Sequence, residues 1–60
     1  MMDEEYKDRI VEQAKGLLIA NQHMTEPEAH RYLQLQAMNQ RTPKLVIAQG
    51  IIRHYALRTS

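Results

Sequence analysis

Most of the positive charge of this 60-residue chain lies in its second half, where no acidic residue accompanies it. Residues 29–60 contain five lysines and arginines and no aspartate or glutamate, whereas residues 1–28 contain seven acids and three cations. Nucleic-acid phosphates attract such cations, and acids among them would repel the phosphates. Charge alone leaves two interpretations open: a half that binds a polyanion, or a basic surface that is only solvated.

Four cations are the first candidates for contacts with phosphate oxygens. Arg31 precedes a helical break predicted at residues 39–43, Arg41 and Lys44 lie at that break, and Lys15 could join them from an earlier helix. A helix that starts after the break would add free backbone N–H groups and the positive end of its dipole. Together these features predict an anion-binding region.

Uncharged residues could recognise bases beside these cations. Gln34 offers an amide that can bond to base edges, and His30 offers a flat ring on which an unpaired base can stack. Gly16 lies inside a predicted helix at a cost of about 1 kcal/mol relative to alanine, which predicts the close approach of another backbone or of a ligand. Tyr32 and Tyr55 also carry rings, but their helical spacing predicts core packing.

Other chemistry is not indicated. The chain has no cysteine, which excludes disulfides and thiolate metal sites. His23, His30 and His54 lack metal-ligand spacing, and the confinement of acids to one half argues against a catalytic carboxylate pair. A chain of this length also leaves little room for a pocket. We therefore expect a protein that is not an enzyme and that holds no metal or cofactor.

Three helices are predicted to position these residues, because apolar residues recur at helical spacings in three segments. The expected core comprises Tyr6, Ile10, Val11, Ala14, Leu17 and Leu18 in the first helix, Ala29, Tyr32, Leu33, Gln36 and Ala37 in the second, and Leu45, Ala48, Ile51, Ile52 and Tyr55 in the third. Val46, Ile47 and Leu57 remain outside this core.

The starts of the second and third helices carry recognisable signals. Thr25 is predicted as an N-cap, with Glu28 completing a capping box and Pro27 in the first turn. Thr42 is predicted as the next N-cap, with Pro43 as the first helical residue. The connections are short, so consecutive helices must fold back on each other. The predicted fold class is all-α, a three-helix bundle whose charged first helix is suited to extend from a coiled coil.

The apolar runs are too short for a membrane partner. None reaches the roughly 20 residues of a membrane-spanning helix. The acidic N-terminal segment also lacks the basic and apolar regions of a signal peptide. These features predict a cytoplasmic protein.

Three stretches of the sequence resemble the ANTAR domain, the RNA-binding module of AmiR- and NasR-type transcription antitermination regulators. They are AKGLL at residues 14–18, EAHRYLQLQAM at 28–38 and KLVIAQGII at 44–52, in order and with fitting gaps. The resemblance implies a three-helix bundle at the C-terminus of a bacterial regulator. Residues 1–60 would then be a single domain from a longer protein, preceded by a sensor or receiver domain.

The resemblance also implies a function. Members of the family bind two adjacent stem-loops in a nascent leader transcript and so prevent a terminator hairpin from forming. A homodimer through the first helix would present two domains to two loops. The expected RNA contacts are Lys15, Gly16, His30, Arg31, Gln34, Arg41 and Lys44.

Three positions depart from the usual family pattern. His30 stands where Phe or Tyr is common, Gln34 where arginine is frequent, and Asn39 where aspartate is frequent. His30 can still stack on a base, whereas Gln34 cannot neutralise a phosphate.

Two other functions remain open at this stage. The stretch TPKLVIAQGI is similar to the first helix of a DNA-binding helix-turn-helix unit, but no recognition helix follows it before Ser60. Alternatively, the chain is a helical dimerisation module whose basic half is only solvated.

Overall fold

Three α-helices make up the fold. The structure, a computed structural model, describes the backbone of residues 2–59 and the side chains of residues 5–58. Helix α1 is Met2–Gln22, α2 is Glu26–Gln40 and α3 is Lys44–Thr59, and each helix packs against the other two. The described backbone contains no strand. The prediction of an all-α three-helix bundle is confirmed.

The centre of the bundle is built from three alanines, one in each helix. Ala14, Ala29 and Ala48 are fully buried, and their small side chains let the helix backbones approach closely. Leu18 and Leu33 fill the remaining space at the centre. Six partly buried apolar residues surround this core: Ile10, Val11, Met24, Ile47, Ile51 and Ile52.

A capping box starts α2, as the sequence predicts. The backbone N–H of Thr25 donates to Glu28 Oε1 at 2.8 Å, and the backbone N–H of Glu28 donates to Thr25 Oγ1 at 3.3 Å. The hydrogen bond from the Thr25 backbone holds the pKa of the Glu28 carboxyl below its usual value, because it stabilises the charged form.

The end of α2 closes through a left-handed residue. Arg41 has φ 52° and ψ 44°, and its N–H donates to the carbonyl of Met38 at 3.2 Å. The N–H of Thr42 donates to the carbonyl of Ala37 at 2.9 Å, which completes a Schellman motif. His23, just after α1, also has a positive φ of 57°.

The predicted start of α3 is wrong by one residue. The carbonyl of Pro43 accepts hydrogen bonds from the N–H groups of Val46 and Ile47, so Pro43 occupies the cap position and the helix begins at Lys44. The hydroxyl of Thr42 donates instead to the carbonyl of Gln40 at 2.9 Å. The Thr42 side chain therefore bonds to the turn that ends α2 and does not cap α3.

Three core predictions are also wrong. Tyr6 is 58% exposed, because the core contacts of α1 begin one turn later, at Ile10. Tyr32 is 37% exposed, because its neighbour Leu33 occupies the centre of the buried face of α2. Ile47, expected outside, packs against the core, whereas Val46 and Leu57 are exposed as predicted.

Among the described residues, no helix combines the length and the apolar character that a membrane crossing requires.

Candidate nucleic-acid interface

All five cations of the acid-free half lie on the surface. Each of them is exposed, and no carboxylate within residues 5–58 lies at ion-pair distance from any of them. Their charges are therefore available to an anion from solution. The five are Arg31, Arg41, Lys44, Arg53 and Arg58.

Lys15 differs from the other cations because its side chain is buried. The residue is 8% exposed, and its Nζ lies 2.9 Å from Glu12 Oε1 and 3.8 Å from Glu26 Oε1. The hydrogen bond that the Lys15 ammonium donates to Glu12 raises the pKa of Lys15, and burial opposes that increase. Lys15 thus joins α1 to the first turn of α2.

The predicted RNA contacts fall into two groups rather than one cluster. Lys15 lies beside the start of α2 through Glu26, whereas Arg41 and Lys44 lie beyond its other end. With 15 residues, α2 is about 22 Å long at 1.5 Å per residue, so Glu26, which pairs with Lys15, lies about one helix length from Arg41. That Lys15 joins the cations at residues 39–43 in one RNA-binding surface stays a prediction.

The uncharged candidates are accessible. Gly16, His30 and Gln34 are all exposed, and His30 and Gln34 are one turn apart on α2. No atom lies within 4 Å of the position that a Cβ would take at Gly16. Close packing of a neighbouring helix therefore does not explain this glycine, and its contact with a ligand stays a prediction.

The other group lies where α2 gives way to α3. Arg41 and Lys44 lie at the start of α3, where the N–H groups of Lys44 and Leu45 have no carbonyl partner within the helix. Lys44 also lines a depression of about 470 Å³ between the start of α3 and Lys7, Asp8 and Val11 of α1. This end of the bundle offers cations from both α1 and α3.

Sequence reasoning missed an open groove of about 630 Å³ between α2 and α3. The groove brings together Tyr32 and Gln36 of α2 with Gly50 and His54 of α3. The available signal was Gly50, a second glycine inside a helix, since such a residue commonly leaves room for a close approach. Among the described side chains, no cluster of three or more potential metal ligands occurs.

Comparison with known proteins identifies the family. Residues 7–52 match the model of the ANTAR domain. Two similar proteins are those called transcriptional regulatory protein PdtaR in Mycobacterium tuberculosis strains CDC 1551 / Oshkosh and ATCC 25618 / H37Rv, each 41% identical over 44 residues. The match covers 73% of this chain but only 22% of each relative. No solved structure matches the chain significantly. The family match spans well over half of the sequence and includes all three motif stretches, and the chain therefore belongs to the ANTAR family of transcription regulatory domains.

Proposed function

We propose that this domain binds stem-loops in a nascent leader transcript and thereby prevents the formation of a terminator. Family membership supports the proposal at the level of transcription regulation. The observation that carries it to RNA is the set of five exposed cations without described carboxylate partners. Such cations attract a phosphate backbone and provide the salt-sensitive part of the affinity for RNA.

The contacts have different roles in this proposal. Arg31, Arg41 and Lys44 neutralise phosphates, and the N–H groups at the start of α3 add donors beside Lys44. His30 stacks on an unpaired base and Gln34 bonds to a base edge, since looped RNA presents its bases unstacked. The six exposed candidates, including Gly16, are direct contacts.

Lys15 has an indirect role in the proposal. Its ammonium is already bound by Glu12 and Glu26, so a phosphate would have to displace a carboxylate to reach it. Lys15 instead fixes the first turn of α2, one turn before His30. It supports the RNA surface by holding α2 against α1.

The proposed assembly is a homodimer that presents two domains to two adjacent loops. Helix α1 is the longest helix, and Tyr6 near its start is not packed into the core. This exposed ring is available for contact with a partner helix. In the full-length protein, α1 would connect to an upstream sensor or receiver domain.

The test is a binding titration against an RNA that contains two adjacent stem-loops. Controls are the same RNA with scrambled loops and a duplex DNA of equal length. We expect loop-dependent binding whose log affinity falls against log salt with a slope of about −0.7 for each neutralised phosphate. Because α1 is proposed to dimerise, the titration is run with the domain alone and with the domain fused to a dimerising coiled coil.

A matched pair of substitutions locates the surface. Lys44→Ala removes an exposed cation beside α3 and should weaken RNA binding, whereas Arg9→Ala removes an exposed cation from the acidic half and should not. Preference for duplex DNA would favour a helix-turn-helix-type function instead. Tight self-association without salt-sensitive RNA binding would leave a dimerisation module.

A further inference from the structure

The groove between α2 and α3 has a lining suited to a flat, polar-edged ligand. Its walls include the ring of Tyr32 from α2 and the rings of His54 and Tyr55 from α3. The rings of His54 and Tyr55 meet edge to face, with centroids 5.2 Å apart and planes at 78°. Two differently oriented ring planes on one side and a third ring on the other can enclose an aromatic base.

Amide groups line the same groove. Gln36 and Gln40 lie one turn apart on α2, and the Gln40 Nε2 donates to the Gln36 Oε1 at 3.0 Å. Gln22, at one end, donates its Nε2 to the hydroxyl of Tyr55 at 2.8 Å. Each amide keeps further donor or acceptor capacity, so the groove offers hydrogen bonds at its edges as well as ring surfaces.

The charge distribution favours an RNA strand over an acidic or a basic peptide. None of the twelve residues that line the groove is an aspartate, glutamate, lysine or arginine. The exposed cation Arg41 stands between two lining residues, Gln40 and Thr42, in the turn that joins α2 to α3. An uncharged interior of rings, amides and apolar side chains, with a cation at one end, matches a base attached to a phosphate backbone.

Gly50 leaves open space in the groove beside the backbone of α3. The residue lies inside α3, where glycine costs about 1 kcal/mol relative to alanine. Its φ is not positive, and no atom lies within 4 Å of the position that a Cβ would take. Neither backbone geometry nor internal packing requires a glycine here, which leaves room for a ligand as its use.

We propose that this groove receives an unpaired nucleobase from the loop of the bound RNA. The inference rests on the proposed function and adds a base-binding site on the face between α2 and α3. The base would lie against Tyr32 or His54, with its edge bonded to the amides of Gln36 or Gln40. Arg41, at the end of the groove, would bind a flanking phosphate.

The experiment fills the groove without disturbing the fold. In Gly50→Leu the new Cβ meets no neighbouring side chain, the rest of the side chain extends into the open groove and a strong helix former replaces glycine, so the domain should remain folded. The matched control is Gln49→Leu, which adds a similar apolar side chain at the neighbouring exposed position outside the groove lining. Circular dichroism confirms the helical content of both variants.

The probe is the tandem stem-loop RNA of the titration above, with each loop base replaced in turn by an abasic site. We expect one position at which the abasic RNA binds the wild-type protein about ten-fold more weakly, as loss of one stacked base predicts. Gly50→Leu should bind the intact RNA about equally weakly and lose nothing further with that abasic RNA. Gln49→Leu should behave like the wild type.

Different failures have different meanings. Wild-type protein that shows no loop dependence would overturn the proposed function and the base site with it. Loop-dependent binding that Gly50→Leu leaves unchanged would overturn the base site alone. A change in the sedimentation of Gly50→Leu without a change in RNA affinity would also overturn it and would assign the groove to a second copy of the chain.

Discussion

At the scale of single residues, the domain keeps a cation at a position where the backbone favours glycine. Arg41 closes α2 in the left-handed region, which costs a residue with a Cβ about 1–2 kcal/mol and is the usual place for glycine. Such strain often persists at functional positions. His23 has the same conformation at the end of α1 but lies outside the proposed RNA contacts, so the two residues form a natural comparison.

Substitution of Arg41 by glycine should move stability and binding in opposite directions. We expect Arg41→Gly to raise the free energy of unfolding by up to about 1 kcal/mol because it relieves the left-handed strain. It should also weaken RNA binding through loss of a phosphate contact. His23→Gly should give the same gain in stability with unchanged affinity. Urea unfolding and the RNA titration measure both effects, and a loss of affinity in both variants would contradict the assignment of Arg41.

A second residue-scale prediction concerns acid. The pKa of Glu28 is lowered in the folded state, so its capping box contributes stability above the carboxyl's ordinary pKa and loses it as pH falls through the folded value. Glu28→Gln keeps an acceptor for the Thr25 N–H but does not titrate. The Tm of the wild type should therefore fall towards that of Glu28→Gln between about pH 5 and pH 3. If the Tm values of the wild type and Glu28→Gln change in parallel with pH over this range, the Glu28 carboxylate is not the source of the pH-dependent stability.

At the scale of elements, two helices carry a glycine that packing does not require. Gly16 in α1 and Gly50 in α3 both face open space. Each glycine lowers helix stability, and each lies on a surface that we assign to RNA. The helices are therefore less stable than their length and packing would allow, and the room left beside their backbones is available to a ligand.

Replacing these glycines by alanine should stabilise the domain. Each single substitution should raise the free energy of unfolding by about 1 kcal/mol, and the double variant should show nearly the sum, since the sites lie on different helices. For a domain of this size, 1 kcal/mol corresponds to a rise in Tm of about 4–8 °C. Thermal unfolding by circular dichroism measures the change. A lower Tm would mean that a contact at the glycine backbone is needed for folding.

At the scale of the whole molecule, stability depends on very few buried side chains. Leu33 is the largest fully buried residue, and a chain of this size buries only about 60% of its unfolded surface. The other fully buried residues are the three alanines, which bring the helices together but contribute little apolar area. Much of the stability of the bundle therefore depends on Leu33 and Leu18.

Truncation of Leu33 should unfold a large fraction of the molecules. Leu33→Ala should lower the free energy of unfolding by about 2–5 kcal/mol, which is comparable with the whole stability of a small domain. Leu35→Ala, two residues along the same helix and 47% exposed, should change it by less than about 1 kcal/mol. Urea titrations of the two variants compare a core and a surface leucine directly, and similar losses would show that the core lies elsewhere.

The sequence by itself determined the features that depend on local interactions. The separation of acids from cations was readable from composition along the chain, and the three helical periodicities and the Thr25–Glu28 capping box were readable because each depends on residues only a few positions apart. The family motifs were readable for the same reason. Each of the three motif stretches contains one of the buried alanines, Ala14, Ala29 or Ala48.

Only the tertiary structure decided which faces meet. The pairing of Lys15 with Glu26 and the hydrogen bond between Gln22 and Tyr55 join different helices. The exposure of Tyr32 follows from the same docking, because a narrow three-helix core has room for only the central stripe of each helix. The groove around Gly50 arises in the same way, since it exists only after α2 and α3 take their relative positions. Helical periodicity determines where side chains lie around one helix. The contacts between helices depend on how the side chains of all three helices pack together.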